Sequence, residues 1–590
     1  MRRLSWLACV LLARADPDPR DVVHSGVRIA GDGSSSQYYN QPLALQIPNG
    51  SWVVMLTHAS HAEGQTNQRV VSRMHVSPNL TEGSWLPPVD IESNPYGPSA
   101  GWVVPLFAPE LDRLYAIYTF NAHNVTCSGT SQLVGGQWLR WSDDFGATWS
   151  DERLEIPIRV TAIDRGNPWN GTELQGWTVS KPLSLPSGAV LVPYTKIGVY
   201  PQSHERQWVL RSENILTERD PREIAWTTWP EGDGPGCAAA DGSDEAEEGS
   251  LVSLGGGNVS FIFRSSGGRV NECVSRDDGR SWTPRLVYYE TPASPLKNPR
   301  GPLTARRLAD GSYALLYFNN GWRGYSQAAN NTRNPYFLTL GRLSADRDRI
   351  VWAQPEVALF GRGWLGEVLA YNLAYPDIVE ETPGGRVVIF DVHESPPGSD
   401  CQDPAFEALG GCGVATHVVS SEVLAGLASQ FAGDRTVASV GLVADDDGAA
   451  PIFPDVDASG GLTVEVWRSS PREEALYDCR RGTKGLALRI ADGVATLSLN
   501  GRDFSYRVGG ARQVAAVVDG APQMVSFVVD GAFGDGGPEA VFGYAHFRHV
   551  GDLNAAPTTC EIRAAAKVRV YDRALRTSEL VANFRHGVTV

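Results

Sequence analysis

The sequence predicts an all-β protein. Its 62 glycines and 38 prolines are spread along the whole chain of 590 residues, as a fold with many short strands and turns requires. Short apolar stretches with strand character, each following a turn that contains Gly or Pro, recur from Leu43 onward, for example at 52–56 and 313–318. Before about residue 400 no convincing amphipathic helical pattern interrupts the series, which favours a radially repeated antiparallel fold.

The size, composition and charge of the chain indicate how many domains it has and which partners it binds. At 590 residues it exceeds the size at which one hydrophobic core keeps growing, so we expect two domains. Hydrophobic residues make up 42% of it, which argues against global disorder. The 51 basic against 67 acidic side chains give a net charge of -16, which does not attract phosphate backbones, so nucleic acid is not an expected partner. We expect a monomer.

The first residues have the pattern of a secretory signal peptide. Arg2 and Arg3 precede an apolar run from Leu4 to Ala13, and small residues follow. A buried amphipathic start is the alternative, but no segment of the chain approaches the ~20 apolar residues of a membrane span. We therefore expect a signal peptide at residues 1–15, no transmembrane segment and a secreted or secretory-lumen location. Six glycosylation sequons agree with that location: Asn49, Asn79, Asn124, Asn170, Asn258 and Asn330.

The cysteines predict disulfides rather than a metal site. Plausible pairs in an oxidising compartment are Cys401 with Cys412 and Cys479 with Cys560, although sequence alone does not fix their connectivity. Cys9 leaves with the signal peptide, and an odd thiol remains among Cys127, Cys237 and Cys273. No Cys or His has the C-x-x-C or H-E-x-x-H spacing of a zinc site, so we predict no catalytic metal and no cofactor for the reaction.

One repeat, with the pattern S-x-D-x-G-x-T-W, is the most informative feature. It occurs in full at residues 142–149, returns with Ser for Thr at 275–282, and has a weakened copy at 77–85. The Asp accepts backbone hydrogen bonds in a tight turn, the Gly takes a positive φ, and the Trp packs the hairpin against its neighbours. The repeat resembles the Asp-box, or BNR repeat, of the sialidase (neuraminidase) superfamily. In that family these turns lie away from the active site, so Asp144 and Asp277 are expected to be structural.

The resemblance implies a six-bladed β-propeller, which we place at residues 21–410. After a linker at 411–435 the sequence changes, and its later strands alternate as those of a β-sandwich do. Within it, the segment 568–575 resembles the closing strand of laminin-G and concanavalin A-like lectin domains. We therefore expect a jelly-roll, lectin-like β-sandwich at residues 436–590 that contacts carbohydrate. The lectin resemblance leaves a structural Ca2+ ion in this domain open.

The segment 374–378 resembles the one that carries the tyrosine nucleophile of the family, here Tyr375. A phenol is a poor nucleophile because its pKa is near 10, so it needs a base within hydrogen-bond reach. Glu248 precedes a strand, a Gly turn and a second strand that ends in Arg264, much as the base Glu of the family precedes an Arg. The resemblance implies that Glu248 is the base and that Arg264 binds a substrate carboxylate. Asp377 is predicted to bind substrate as well.

Four further residues complete the predicted site. Arg333 follows the strand at 313–318, where the family places another carboxylate-binding Arg, and Arg300 is a helper to it. Glu63 stands where the family usually has an Asp as the general acid and base, and His61 is the alternative for that role.

The first strand departs from the family pattern. Sialidases begin it with Tyr-Arg-Ile-Pro, whereas this chain reads Tyr39-Asn40-Gln41-Pro42, so the first Arg of the carboxylate-binding triad is missing. Losing one charge-assisted hydrogen bond weakens carboxylate binding by about 1.5–3 kcal/mol. Asn40 and Gln41 are therefore predicted to bind a neutral or differently placed group of a related acidic sugar.

Together these residues predict a sialidase-like exo-glycoside hydrolase. It would release a terminal acidic sugar, with sialic acid the leading substrate, from a glycan or glycoconjugate by a retaining mechanism with a Tyr nucleophile. One alternative is a non-catalytic glycan-binding or adhesion protein, in which Tyr375 is a core aromatic and Glu248 belongs to a solvated acidic run. The other is a propeller polysaccharide lyase acting on uronate polymers, with His61 and a Tyr as base and acid.

Overall fold

Six antiparallel sheets of four or five strands lie between residues 27 and 418 of the computed structural model. Five of these sheets consist of strands that follow one another in the chain, and the sixth also includes the first strand of the region, so the predicted all-β fold is confirmed. The number of sheets is the one that a six-bladed propeller requires. The residues that the structure describes are 18–22, 26–30, 38–59, 70–92, 98–125, 133–198, 204–324, 332–365, 368–394, 412–446, 460–470, 474–534, 540–548, 560–563 and 565–588.

The strands of this region have the following bounds: β1 (Val27–Ala30); β2 (Tyr38–Gln46), β3 (Trp52–Ala59), β4 (Val70–Ser77) and β5 (Val89–Asp90); β6 (Ala100–Ala108), β7 (Arg113–Phe120), β8 (Gly136–Ser142) and β9 (Leu154–Ile156); β10 (Gly176–Trp177), β11 (Leu183–Ser184), β12 (Val190–Lys196), β13 (Arg206–Ser212) and β14 (Trp226–Trp229); β15 (Glu247–Gly255), β16 (Asn258–Arg264), β17 (Asn271–Ser275) and β18 (Thr283–Leu286); β19 (Thr304–Arg307), β20 (Tyr313–Tyr317), β21 (Tyr336–Leu343), β22 (Ile350–Trp352) and β23 (Glu356–Leu359); the hairpin β24 (Trp364–Leu365) and β25 (Val368–Leu369); and β26 (Asn372–Glu380), β27 (Val387–Glu394) and β28 (Gly413–Val418). A short helix α1 (Ala162–Arg165) and a 3-10 turn (Pro221–Glu223) lie in the connections.

The sheets form a closed ring. The first strands of successive sheets pack on one another, β15 on β19 and β19 on β26, and β26 packs on β2 of the first sheet. These first strands therefore surround the centre of the ring. The last sheet has the order β1-β28-β27-β26, so a strand from the start of the region completes the sheet formed by its end. This pairing joins the two ends of the ring by backbone hydrogen bonds.

The middle strands are apolar on both faces because a neighbouring sheet covers each face. In β20, Tyr313, Leu315 and Tyr317 pack into one hydrophobic cluster, while Ala314 and Leu316 pack into another on the opposite side. Side chains of a strand alternate between its faces, so a sheet packed on both sides reads as a continuous apolar run. This is the physical reason for the apolar stretches that recur in the sequence.

The Asp-box sequences form turns between the third and the fourth strand of a sheet. Between β8 and β9, the backbone N–H of Thr148 donates to Asp144 over 2.8 Å, and that of Gly146 donates to the Ser142 hydroxyl over 2.7 Å. The copy between β17 and β18 repeats these contacts around Asp277, so both aspartates are structural. Related turns between the third and fourth strands of other sheets begin at Ser77, Ser212 and Ser344.

The predicted linker at residues 411–435 is wrong over the part that the structure describes. Strand β28 (Gly413–Val418) pairs along β27 and so belongs to the ring, which therefore extends past the expected boundary at 410. It is followed by helix α2 (Ser421–Ala432), whose N-cap Ser420 accepts the backbone N–H of Glu422. The helix ends at Gly433, which has a φ of 73° that a glycine adopts without strain.

Two facing sheets form a β-sandwich in the rest of the chain. One has the order β29-β40-β30-β35-β36-β37, with β38 on β36, and the other has the order β34-β33-β32-β31-β39. An apolar cluster that includes Val464, Leu488 and Val568 fills the space between them. The bounds are β29 (Leu442–Asp446), β30 (Leu462–Arg468), β31 (Ala475–Asp478), β32 (Leu486–Ala491), β33 (Val494–Leu499), β34 (Arg502–Arg507), β35 (Gln513–Asp519), β36 (Met524–Val529), β37 (Ala532–Phe533), β38 (Tyr544–His546), β39 (Glu561–Arg563), β40 (Ala565–Tyr571) and helix α3 (Thr577–His586).

Two disulfides join described cysteines. Cys479 pairs with Cys560, as predicted, and links the ends of the neighbouring strands β31 and β39. Cys237 pairs with Cys273 in β17, a connection that the sequence left open. Cys401 lies outside the described residues, so its pairing with Cys412 stays a prediction. Among the described helices none has the length and apolarity of a membrane span.

Candidate active site

A β-bulge recurs near the start of four strands that face the centre of the ring. In β2, β6, β15 and β26 the pairing with the next strand slips by one residue at this place. Each bulge contains a non-glycine residue with a positive φ: Gln41 at 50°, Trp102 at 53°, Glu248 at 54° and Tyr375 at 45°. Such backbone is unfavourable by roughly 1–3 kcal/mol and is concentrated at functional sites, where it re-aims a side chain. The predicted base and nucleophile therefore hold equivalent positions in two different sheets.

The bulges bring Tyr375 and Glu248 into contact. The Tyr375 hydroxyl donates a hydrogen bond of 3.1 Å to Oε1 of Glu248, and the indole N–H of Trp177 donates to the same oxygen over 3.0 Å. Glu248 is buried, and Tyr375 is half-buried. Burial, together with the nearby charge of Glu247, raises the pKa of Glu248 above its ordinary value despite the opposing effect of Arg264. This carboxylate is therefore suited to receive a proton.

Arg264 lies beside this pair. Its Nη2 is 2.9 Å from Oε2 of Glu248 and 3.1 Å from Oε2 of Glu247, and its guanidinium carbon is 6.0 Å from the centre of the Tyr375 ring. Although burial opposes it, the two carboxylates raise the pKa of Arg264 well above its usual value. Its Nε and Nη1 are buried and hydrogen-bond no described residue. The arginine thus keeps donors for a further acceptor.

A second guanidinium neutralises the carboxylate next to the base. Arg300 pairs with Glu247: its Nη2 donates to Oε2 over 3.1 Å, and its Nε lies 2.6 Å from Oε1. Nη2 of Arg300 is also 3.6 Å from Oε1 of the fully buried Glu205. Burial raises the pKa of Glu205 well above its usual value, as does the charge of Glu247. Burial opposes ionisation of Glu247 too, but Arg264 and Arg300 hold its pKa below the ordinary value.

Arg333 connects the cluster to the strand of the nucleophile. Its Nη2 donates to the carbonyl oxygen of Arg300 over 3.0 Å, and its own carbonyl accepts the N–H of Leu373 in β26 over 2.9 Å. Its buried Nε has no partner among the described residues. Burial and the neighbouring Arg264 lower the pKa of Arg333 from its usual value.

The position of the missing arginine is occupied by a buried amide. Asn40 donates to Oε1 of Glu394 over 2.7 Å and to the Tyr38 hydroxyl over 2.6 Å, while its own oxygen accepts the N–H of Gln41. The side-chain amide of Gln41 is buried, and neither its oxygen nor its nitrogen contacts a described partner. Asn40 thus places a neutral amide next to a carboxylate, where the family has a cation.

Asp377 has a different role from the predicted one. Its carboxylate is fully buried and accepts hydrogen bonds from Arg306 and Lys181, each over 2.8 Å, and from the N–H of Ala44 over 2.9 Å. These partners come from three other parts of the ring. Because both oxygens are occupied, Asp377 cross-links the centre of the ring and is not open to a substrate. The prediction that it binds substrate is wrong for this reason.

Two predicted residues lie outside the described part of the chain, and two residues of the site were not predicted. Glu63 and His61 follow β3 and lie outside the described residues. Glu205 and Glu394 are site residues that the sequence did not reveal, since no motif surrounds either of them. Among the described residues no three His, Cys, Asp or Glu side chains are grouped so that they could hold a metal ion.

Fold and site together define a β-propeller-like protein whose centre holds a Tyr–Glu–Arg cluster. Residues 53–389 match the model of the BNR repeat-like domain, more than half of the chain, and the protein belongs to that family. The predicted relation to the sialidase superfamily of Asp-box proteins is thereby confirmed. No curated protein sequence matches the chain.

Several solved structures have a similar fold. They include a protein of unknown function from Dyadobacter fermentans, with 17% identity over 67% of this chain and 97% of that one and a TM-score of 0.46. The NanB sialidase from Streptococcus pneumoniae has 11% identity over 69% and 71% and a TM-score of 0.45. A Trypanosoma rangeli sialidase mutant that displays trans-sialidase activity has 11% identity over 96% and 97% and a TM-score of 0.42.

Proposed function

We propose that the protein is a retaining exo-glycosidase that releases a terminal acidic sugar from glycans, with sialic acid as the first substrate to test. The observation that carries the proposal is the hydrogen bond of 3.1 Å between Tyr375 and the buried Glu248, beside Arg264. A phenol with a carboxylate base is a nucleophile that carries no charge of its own, so it does not repel an anionic sugar. The carboxylate nucleophile that most retaining glycosidases use would repel it.

The reaction proceeds in two displacements. The Tyr375 oxygen bonds to the anomeric carbon while its proton passes to Glu248, and the bond to the leaving oxygen breaks. The general acid that protonates the leaving oxygen is assigned to Glu63, by family resemblance, with His61 as the alternative. Water then attacks the same carbon from the opposite side of the sugar-tyrosine bond, the general base takes its proton, and Tyr375 recovers its proton from Glu248.

The substrate carboxylate is assigned to Arg264 and Arg333. Both have buried guanidinium nitrogens without a partner among the described residues, and such donors favour an incoming anion. Arg300 supports them from behind because it neutralises Glu247.

We further propose a secreted, monomeric protein with its signal peptide at residues 1–15 and a sandwich domain that contacts glycan. The two disulfides in the described residues are compatible with an oxidising, extracellular location. The lectin-like relation of the sandwich rests on the sequence resemblance of residues 568–575. Glycan arrays probed with the purified Tyr375→Phe variant described below would show whether the protein still binds glycan when it does not hydrolyse it.

The test is release of a fluorogenic sialoside by the wild type and by Tyr375→Phe. We expect the phenylalanine variant to lose at least about 1,000-fold in kcat because the nucleophile is absent. Tyr194→Phe is the matched control, since that buried hydroxyl has no partner among the described residues and lies in β12. Equal turnover by wild type and Tyr375→Phe would refute the assignment.

A second candidate is a glycan-binding protein that does not hydrolyse its ligand. One observation favours it: Asn40 stands in place of the first arginine of the carboxylate-binding triad. In that case the wild type releases no sugar from any acidic glycoside, yet it binds them, and Tyr375→Phe binds them equally well. Retained binding without release would therefore select this function.

A further inference from the structure

We propose that the β-sandwich positions the two arginines of the central site, with His546 as the main positioning residue. The inference rests on the proposed function in one respect only, the role of Arg333 in binding a substrate anion with the support of Arg300. The contact between the sandwich and the loops that carry these arginines is a feature of the fold and does not depend on that role. The segment 540–546 projects from the sandwich onto the ring.

This segment contacts both loops that carry the arginines. Nζ of Lys297, three residues before Arg300, donates to the carbonyl oxygen of Ala540 over 2.9 Å. Nε2 of His546 lies 3.3 Å from the carbonyl oxygen of Asn334, the residue that follows Arg333. Because a carbonyl oxygen only accepts, the imidazole is the donor, through Nε2–H.

Two further bonds fix the segment on the ring. The N–H of Gly321 donates to the carbonyl oxygen of Val541 over 2.7 Å, and the Tyr544 hydroxyl donates to that of Phe318 over 3.3 Å. The Tyr544 ring also packs against Phe337, with 5.4 Å between ring centres. The projecting segment is thus held by apolar packing as well as by hydrogen bonds.

From His546 the contacts continue to the reacting group. The side chain of Asn334 donates to the carbonyl oxygens of Gly361 and Tyr371 over 2.9 and 3.2 Å. The carbonyl of Arg333 accepts the N–H of Leu373, two residues before Tyr375. A shift of the loop at 332–334 would therefore move an anion-binding guanidinium and the start of the nucleophile strand together.

The sandwich is accordingly part of the substrate-binding apparatus and not merely an appended binding module. Correct placement of positioning groups within a fraction of an ångström is a large part of catalysis. Loosening the loop should raise the KM for an anionic substrate more than it lowers kcat, because the arginines bind the ground state and the transition state alike.

The experiment compares His546→Ala and His546→Gln in the full chain. Alanine removes the donor, whereas glutamine keeps an N–H at a similar reach. We expect alanine to raise the KM for a fluorogenic sialoside about fivefold with kcat within about twofold, and glutamine to restore most of the loss. Asp519→Asn is the matched control, because Asp519 pairs with Arg20 across the same interface over 2.7 Å and Arg20 belongs to neither arginine loop.

Hydrogen exchange of the ligand-free protein separates this inference from the proposed function. We expect faster amide exchange at residues 297–300 and 332–334 in His546→Ala and not in Asp519→Asn. Unchanged exchange in those segments overturns the inference, whatever the activity. Faster exchange in a protein that cleaves no acidic glycoside supports the positioning role of His546 and contradicts the proposed hydrolase activity. If His546→Ala does not fold, Lys297→Met gives the same test at residues 297–300.

Discussion

Two buried glutamates, one in the sandwich and one in the ring, have opposite surroundings. Glu465 in β30 is fully buried and accepts hydrogen bonds from Trp467, Gln513 and Asn583 over 2.7–2.9 Å, with Arg569 at 3.4 Å. Glu248 is buried as well, but its hydrogen-bond donors include the Tyr375 hydroxyl, and its arginine partner has nitrogens that hydrogen-bond no residue in the described part of the chain.

The difference separates a structural carboxylate, Glu465, from Glu248, the one that we propose to be catalytic. A buried charge that is fully hydrogen-bonded rigidifies the core and has no capacity left for a ligand. A buried charge with a raised pKa, in strained backbone and beside unsatisfied donors, is typical of a catalytic group. Burial alone therefore does not distinguish a structural carboxylate from a catalytic one. The hydrogen bonding of the groups around each carboxylate does.

The largest effect is expected from Glu248→Gln. The amide cannot take the proton of Tyr375, so we expect kcat for an acidic glycoside to fall by about 100-fold to 10,000-fold. The free energy of unfolding should change little, because the neutral side chain removes the cost of burying a charge and Arg264 keeps the fully buried Glu247 as its charged partner. Stopped-flow release of the fluorophore and urea titration measure the two quantities. Full activity in Glu248→Gln would show that another group is the base.

The converse change, Glu465→Gln, should affect stability and spare activity. It takes from the buried Arg569 one of its two carboxylate partners and leaves the exposed Asp445, at 3.3 Å, and removing one partner of a buried ion pair costs about 3–5 kcal/mol. Urea denaturation monitored by tryptophan fluorescence measures this loss. At temperatures where the variant stays folded, kcat should equal that of the wild type. A stable but inactive Glu465→Gln would contradict the division of roles.

An intermediate effect is expected from Asn40→Arg. An arginine at this position meets the carboxylate of Glu394, which already accepts a hydrogen bond from Asn40 over 2.7 Å. It would add a third guanidinium to those of Arg264 and Arg333 and strengthen binding of a carboxylate ligand by about 1.5–3 kcal/mol. Isothermal titration with a sialic acid analogue tests this. Weaker binding would indicate that the native ligand places a neutral group here.

The smallest expected effect is the pH dependence contributed by Glu205. Its pKa in the folded state is raised well above the ordinary value of 4.5, so folding favours its protonated form. This contribution to stability is complete below pH 4.5 and is lost as the pH rises through the raised pKa. Glu205→Gln should flatten the stability profile over that interval. Chemical denaturation at a series of pH values gives the profile, and an identical slope in both proteins would exclude a buried ionisation at Glu205.

The sequence identified the residues that lie in motifs. Tyr375, Glu248 and Arg264 were found because each has a recognisable strand context, and the bulges that join them occur at equivalent places in their strands. Glu205 and Glu394 were not found, since their importance comes from residues distant in the chain, which no local pattern encodes. Asp377 was misassigned because sequence does not reveal that two cations occupy it.

Repeats that had lost their defining residues were also missed. The turns that begin at Ser212 and Ser344 keep the serine hydrogen bonds but lack the Gly and Trp of the full Asp-box. Hydrogen bonding by one serine is enough to hold such a turn when the flanking strands are already paired. The strand at 413–418 fell within an expected linker because its pairing partners are 20 to nearly 400 residues away in the chain.

The pairing of Val27 with Thr416 has a consequence for biosynthesis. Strand β1 emerges from the ribosome among the first, yet its hydrogen-bonding partner is among the last parts of the ring to be made. During that interval the backbone donors and acceptors of β1 have water or a chaperone as their partner. A chain that stops before residue 413 would keep an open β-edge on both β1 and β27, and aggregation through these edges is the expected fate of such a fragment.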